Sequence, residues 1–587
     1  MKLIFKYLMR HKKFFFLNIV AIFAVAAAEL GIPFLIARII DDALPGADNV
    51  GSLPLLYQLG FFLLVVALIG AVGNIITNYA SVKTSTLILI DIRQDVYKKI
   101  QTFSPEDVSQ FGISSLITRT TSDVFQILNF VATFYRVAFM SPALIIISIF
   151  LIATKTPSLL ISTLISIPVI IFGIAIVVKI SKPLSERQQK NLDHLNLITR
   201  ENLTGVRVVR AFRKNDYEAV RFDQANEAYT STAMKLFKLM TSVEPIFFFL
   251  LNVIVAITLY FAGINVANKT GLTIGNLTEF FDYQFIVMFS ILTFSMLFIL
   301  YPRTMVSAGR ITEVLNHKVK ISDRPDSLSE VPYEGTLEFK DVSFKYEDGE
   351  AYVLHNISFK AKRGETIAFI GSTGSGKSTL INLVPRLYEA TDGEVLIENV
   401  NVNDYKLSYL RDKIGFIPQK ALLFEGSIAE NIRYGKHDAT MDEVIAAAKI
   451  AQAHDFILGK EHGYDDMVSE MGANLSGGQK QRISIARAII KNPDVLIFDD
   501  SFSALDFKTD ALLRKSLEDI SKKVVTLLIA QRVTSIVSAD QIIVLNEGQI
   551  VGHGKHEELL KTCQIYQEIA ASQLTEEELA WKEYLNI

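Results

Sequence analysis

The chain has 587 residues, half of them hydrophobic, and its mean hydropathy of +0.31 argues against a purely soluble protein. A formal net charge of -3 gives no reason to expect a nucleic-acid partner, and one cysteine, Cys563, excludes an internal disulfide framework. Length alone suggests three or four structural units, with the apolar residues gathered in the first half.

The first dozen residues, MKLIFKYLMRHK, mix bases with Leu, Ile, Phe and Tyr and read as an amphipathic helix lying on a membrane surface. The alternative is a frayed extension of the first membrane span. Basic residues, an apolar run and Ala24-Val25-Ala26 imitate a signal peptide, but the run continues from about Phe14 to Ile36 and more spans follow. A bilayer-crossing helix needs about 20 mostly apolar residues. Six stretches qualify: 14–37, 56–79, 129–153, 158–181, 243–267 and 279–302. Between them, 80–128 and 182–242 are long, charged and helical in period, as cytosolic extensions of membrane helices would be.

Orientation follows from Lys and Arg. The N-terminus, 80–128 (Lys83, Arg93, Lys98, Lys99, Arg119) and 182–242 (Arg187, Arg200, Arg207, Arg210, Arg213, Lys214) are basic, whereas the first short loop carries Asp41, Asp42 and Asp48. Both chain ends and everything after the last span are therefore expected in the cytoplasm, with the protein multi-pass in the cell membrane. Glu29, Arg136 and Asp282 are ionisable residues within spans, which makes each a functional candidate by default. Each can equally sit near a helix end or pair with a neighbour. Glu29 is the deepest and the best candidate for lining a cavity. Aromatics crowd the last two spans, from Phe247, Phe248 and Phe249 to Phe294 and Phe298. They suit a pocket for greasy cations, although lipid-facing packing is the plainer role for most.

From about residue 320 the texture changes. ISDRPDSLSEVPYEG is a polar linker, and short β-branched runs then alternate with helices, the pattern of a mainly parallel α/β domain. The expected division is 1–320 membrane domain, 321–335 linker, 336–575 nucleotide-binding domain and 576–587 tail.

IAFIGSTGSGKSTL, 367–380, reads as a strand, a glycine-rich loop and a helix start. Gly371, Ser372, Thr373, Gly374, Ser375, Gly376, Lys377 and Ser378, followed by Thr379, fit the G-x-x-x-x-G-K-[ST] phosphate loop. Its glycines let backbone N–H groups close round phosphate oxygens, Lys377 reaches the β- and γ-phosphates, and the Ser378 hydroxyl ligates Mg²⁺. Asp499 follows the apolar run VLIF and would hold Mg²⁺ with Ser378. Tyr346 could stack on adenine, and Gln419 could orient Mg²⁺ or water; each signal is weak alone. NLSGGQKQRISIARAI, 474–489, supplies a second phosphate-binding device, Leu475, Ser476, Gly477, Gly478 and Gln479 at a helix start with no strand before it. One domain cannot easily bring two such devices onto one phosphate, but a head-to-tail pair can, with ATP between the loop of one and the signature of the other.

With these residues the chain resembles an ATP-binding cassette (ABC) exporter half-transporter, an all-α six-span membrane domain fused to an α/β P-loop nucleotide-binding domain. The resemblance covers essentially the whole chain: Tyr346, the 371–378 loop, Gln419, the 475–479 signature, Asp499 and the SALD loop with Asp506. It implies that FSPEDVSQFG, 103–112, and ENLTGVRVVRAF, 201–212, are coupling loops, and that VSEMG, 468–472, with Glu470, is the acidic stretch that meets them. Two positions depart from the family. Glu is expected at 500 and His at 531, but the chain has Asp500 and Gln531. A shorter carboxylate withdraws by roughly 1 Å, and a misplacement of that size can cost about 10²-fold in rate. Gln cannot carry a proton near neutral pH as His can. Such a site binds ATP and turns it over poorly, which resembles the degenerate half of heterodimeric multidrug exporters. The implied partner is a second half-transporter with Glu and His at the matching positions, and the implied substrate is a small hydrophobic or amphipathic compound. The alternatives are a homodimeric lipid flippase with two slow sites, and a non-transporting ATP-gated regulator.

Overall fold

The computed structural model describes residues 1–44, 51–267, 272–332, 334–347 and 349–573. Asp48 and the expected tail 576–587 lie outside the described residues. The chain divides into two compact units, the first Met1–Gln101 with Ile113–His317, the second Thr102–Gly112 with Lys318–Ile587.

In the first unit α1 (Lys2–Arg10) is a separate helix that buries Ile4, Tyr7 and Leu8 and exposes Phe5 and Met9. His11, at φ -113 and ψ 33, breaks it from α2 (Lys12–Arg38), which runs on through a π-turn at Ile39–Ala43. α3 (Leu53–Ile100) follows, then α4 (Pro105–Phe111), which belongs to the second unit. α5 (Ile113–Thr120), α6 (Ser122–Lys155), α7 (Leu160–Thr204), α8 (Val206–Ala211), α9 (Asn215–Ala267) and α10 (Ile274–Asn316) complete the half. Six helices among the described residues are long and apolar enough to cross a membrane. The 48 residues of α3 rise about 72 Å, far more than a bilayer core needs, so the helix continues well beyond the apolar stretch. The stretch 80–128 is not one helix: Ser104 and Gly112 interrupt it and set off α4.

α2 packs on α3 and α6 on α10, while α7 and α9 lie chiefly along each other. One polar contact inside the spans was not foreseen. Glu279, read as the first residue of a span, is buried and pairs with Lys155 at 2.6 Å, and the Tyr283 hydroxyl donates to it at 2.8 Å. The partners are 124 residues apart, so only the packing of α6 on α10 brings them together.

The second unit holds β1 (Thr336–Phe344), β2 (Leu354–Lys362), β3 (Thr366–Gly371), β4 (Asp392–Ile397), β5 (Val400–Asn401), β6 (Ile414–Ile417), β7 (Gly426–Ser427), β8 (Met467–Val468), β9 (Val495–Asp499), β10 (Val525–Ile529), β11 (Gln541–Asn546) and β12 (Gln549–Gly554). The main sheet has the order β12-β11-β3-β10-β9-β6. All its pairs are parallel except β11 with β12. β9 and β10 are buried along their whole length, which explains why VLIF reads as a continuous apolar run rather than an alternating one. A second sheet, β2-β1-β4-β5, stacks Phe339 on Phe359 and packs Phe359 against Phe369 of β3.

Candidate functional site

Because β3, β10, β9 and β6 are adjacent and parallel, their C-terminal ends lie on one edge of the sheet, where open α/β folds place ligands. Each strand delivers one piece of the expected site there. The phosphate loop follows β3, Gln531 follows β10, Asp499 ends β9 with Asp500 just after it, and Gln419 follows β6.

The loop turns into the helix Lys377–Leu383 through Gly376, whose φ of 95° disfavours any residue with a Cβ. A Cβ at Gly371 would collide with the Leu545 carbonyl of β11, so a glycine is required there by space. The Lys377 ammonium lies over the loop and donates to the carbonyls of Gly371 (2.9 Å) and Ser372 (2.7 Å). Burial lowers its pKa, against the pull of Asp500 and Asp499. The Ser378 hydroxyl donates to Asp499 Oδ1 at 2.9 Å, which joins the two expected metal ligands. Burial raises the pKa of Asp499, with the Ser378 hydrogen bond opposing. A buried carboxylate joined to an accessible hydroxyl, beside a half-buried ammonium, is a donor set that fits a magnesium nucleotide: Ser378 and Asp499 would hold the ion, and Lys377 and the loop the phosphates. The ion supplies charge neutralisation at the phosphates when bound. Tyr346 donates to or accepts from the Thr379 hydroxyl at 3.0 Å and meets Phe344 and Tyr388 edge to face, which anchors it beside the phosphate-loop helix.

Asp500 sits in the left-handed region at φ 48°, which Asp tolerates better than most residues. Its Oδ2 accepts from the Gln531 amide at 2.7 Å and the Gln419 amide at 3.2 Å. The two positions that depart from the family are thus hydrogen-bonded to each other. Burial raises the pKa of Asp500, with Gln419 and Ser503 opposing. Gln419 contacts Asp500 and not the Ser378–Asp499 pair in the hydrogen bonds it makes. Sequence reasoning missed Gln573, whose side chain donates to the Gln531 carbonyl at 2.8 Å and accepts from the Val533 N–H at 2.8 Å, fixing the loop that carries Gln531. No sequence signal marked it.

The signature is built differently. Ser476 caps the helix Gly477–Ile489 by accepting from the Gln479 N–H at 3.3 Å, and Gln479 returns an acceptor to the Ser476 N–H at 3.0 Å. Leu475 is buried, Ser476 and Gly477 are exposed, and Gly478 is half-buried. Asp506 is a helix cap, accepting from the Thr509 N–H at 2.9 Å and its hydroxyl at 2.8 Å, and these bonds hold its carboxyl below the usual range. α4 is closed by a capping box between Ser104 and Asp107 and by stacking of Phe103 on Phe111, and its Glu106 pairs with Lys320 at 3.2 Å. α8 by contrast buries no residue, and Phe212 and Val208 beside and within it are exposed. Glu29 and Arg136 are exposed in the single chain, and Asp282 is half-buried.

The family model for the ABC transporter transmembrane region matches residues 15–301, and the ABC transporter model matches 354–503. An uncharacterized ABC transporter ATP-binding protein of Bacillus subtilis, YfiB, is 36% identical over 94% of this chain and 95% of its own. A Staphylococcus aureus protein provisionally named a multidrug export ATP-binding/permease protein is 31% identical over 95% of this chain and 97% of its own. Among solved structures, a bacterial Atm1-family ABC exporter with ATP bound superimposes with a TM-score of 0.79 over 95% of this chain and 98% of that one, at 23% identity. A six-span half and a P-loop half in one chain, matched along their length by these relatives, make the protein a member of the ABC transporter family, an exporter-type half-transporter with one membrane region and one ATPase domain.

Proposed function

We propose that this chain is the degenerate half of a heterodimeric exporter of hydrophobic or amphipathic compounds, whose own site holds ATP and hydrolyses it slowly. The observation that carries the reading is the 2.7 Å hydrogen bond from Gln531 to Asp500. A general base must bring a lone pair to the attacking water, and two amides hold one of the two oxygens, Oδ2, of an Asp500 carboxylate already one methylene short of Glu. Gln531 adds no proton-carrying group. The phosphate and metal contacts are untouched, so binding survives where turnover does not.

The signature offers exposed Ser476 and Gly477 to a second domain, and there it serves the partner's nucleotide. The bare surface of α8 suits docking on that same partner, whereas α4 belongs to this chain's own nucleotide unit. Closure of two nucleotide domains over ATP would be passed through both loops to the spans, turning the cavity from inward- to outward-facing, and hydrolysis at the partner's site would reset it. Glu29, exposed on its own unit, is a candidate for lining that cavity. The multidrug name of the Staphylococcus aureus relative supports the substrate class. The basic segments beside the spans support a cell-membrane protein with both ends and the nucleotide domain in the cytoplasm.

Subunit composition is the test. The tagged chain, purified from native membranes in mild detergent, is expected to bring down one other half-transporter at one to one, with Glu and His at the positions matching Asp500 and Gln531. Recovery of this chain alone as a dimer sinks the proposal.

A further inference from the structure

An open groove of about 860 Å³ lies within the membrane unit, between α1, the last turns of α3 and the last turns of α10. Lys2 and Lys6 of α1 and Lys98 and Lys99 of α3 line it. Asp95 is the one acid among its lining residues. That carboxylate is already engaged, accepting from the Tyr7 hydroxyl at 2.8 Å and from Arg10 at 3.2 Å. Lys2, Lys6 and Lys98 are exposed and form no ion pair among the described residues. Three lysines unpaired among the described residues, Lys2, Lys6 and Lys98, therefore line one concavity whose single lining carboxylate is already bonded to Tyr7 and Arg10.

The placement of α1 says what kind of anion fits. Its residues fall into three faces. Ile4, Tyr7 and Leu8 are buried against the protein, Phe5 and Met9 are exposed apolar side chains, and Lys2 and Lys6, four residues apart, share the face that borders the groove. The exposed apolar face lies just before the first span opens at Lys12, so it enters the interfacial layer of the bilayer. The neighbouring basic face then stands at headgroup depth. A compact anion with several acceptor oxygens satisfies converging ammonium groups, and lysine binds phosphate as a point charge without demanding one geometry.

We propose that this groove is a phosphate-binding site that takes the phosphate of an anionic phospholipid headgroup through Lys2, Lys6 and Lys98. The lipid would be held at the hinge between the surface helix and the first span, a position nothing in the nucleotide cycle requires. The site stands on α1, α3 and α10 alone and is independent of the heterodimer reading.

Lysine acylation tests it on the intact complex in nanodiscs. Brief amine acetylation is followed by mass spectrometry of each lysine, in phosphatidylcholine alone and with phosphatidylglycerol added. Phosphatidylglycerol is expected to slow acetylation of Lys2, Lys6 and Lys98 several-fold relative to Lys12 and Lys13, which are exposed nearby but do not line the groove. Lys98→Gln should release the protection at Lys2 and Lys6. Gly309→Leu is the second variant: Gly309 lines the groove, and a Cβ there meets nothing within 4 Å, so the side chain fills the site without straining α10. It should abolish protection while the thermal transition stays at the wild-type value. Equal protection by inorganic phosphate in phosphatidylcholine discs would keep the site and name free phosphate as its ligand. Equal slowing at Lys12 and Lys13, protection that survives Gly309→Leu, or no protection by either phosphate source would overturn it.

Discussion

Ser378 and Ser476 are both serines beside glycines at a helix start, yet the fold uses them in opposite ways. The Ser378 hydroxyl is turned inward and donates to Asp499 at 2.9 Å, at the end of a fully buried strand. Both residues are exposed, but the Ser476 hydroxyl caps its own helix by accepting from the Gln479 N–H, and no carboxylate is joined to it by the hydrogen bonds among the described residues. The first serine belongs to a site that this chain assembles from four strands. The second lies on an exposed surface that, on the proposed reading, becomes a site only against another domain. The difference also runs through the chemistry: the assembled site carries both departures, Asp500 and Gln531, while the presented surface is unaltered in its LSGGQ sequence. On the proposed reading, the chain is weak where it keeps a nucleotide and intact where it lends a signature, which suits an unequal pair.

The sharpest way to break this contrast is to damage each surface in turn. Gly477→Asp places a carboxylate where the partner's nucleotide phosphate would lie. It is expected to cut substrate-stimulated ATPase of the assembled pair by about 10²-fold or more, the scale of losing electrostatic stabilisation at a reacting phosphate. Lys377→Ala should weaken ATP retention on this chain and cost the pair much less turnover. Equal losses from the two variants would mean equal sites. Repair is the next test. Asp500→Glu with Gln531→His, in a pair whose other site has been silenced, should raise turnover at this site by about 10²-fold, because the longer carboxylate recovers roughly 1 Å of reach and the imidazole replaces the amide that ties it down. Unchanged turnover would place the defect elsewhere.

A smaller effect concerns stability. Burial raises the folded-state pKa of Asp500 above its unfolded value, so the ionised carboxylate costs the folded domain stability at neutral pH. That cost disappears as the pH falls through the raised pKa towards the ordinary carboxylate range. Asp500→Asn should therefore raise the Tm of the nucleotide-binding domain by about 2 °C at neutral pH, the effect of roughly 1 kcal/mol in a domain of this class, and the gain should shrink near about pH 4. A gain that is independent of pH would assign the shift to packing or hydrogen bonding, not to charge.

The parts legible in the sequence are those that a local pattern encodes. Six apolar runs, the spacing from Gly371 to Ser378 and the VLIF run before Asp499 each state their role within a few residues. Glu279 was not legible, because it opens a span and its partner Lys155 lies beyond the end of another. Gln573 was not legible either, since it acts through backbone groups of a loop 42 residues earlier in the chain. The stretch 80–128 reads as helical throughout, but the capping box at Ser104 and the glycine at 112 cut α4 out of it.

The sequence alone, then, carries the local patterns: six apolar spans, a phosphate-loop spacing, an aspartate closing an apolar run, a signature, and two substitutions where the family expects Glu and His. These follow from short-range periodicity and spacing, which chain geometry translates directly into local structure. Only the tertiary structure decided that Asp500 and Gln531 bond to each other. They lie 31 residues apart, just beyond the ends of β9 and β10, and it is the parallel pairing of those strands, Ile529 opposite Asp499, that sets their side chains side by side. The same holds for the lysines of the α1 groove, since Lys6 and Lys98 line one groove where Tyr7 and Arg10 fasten the surface helix to Asp95.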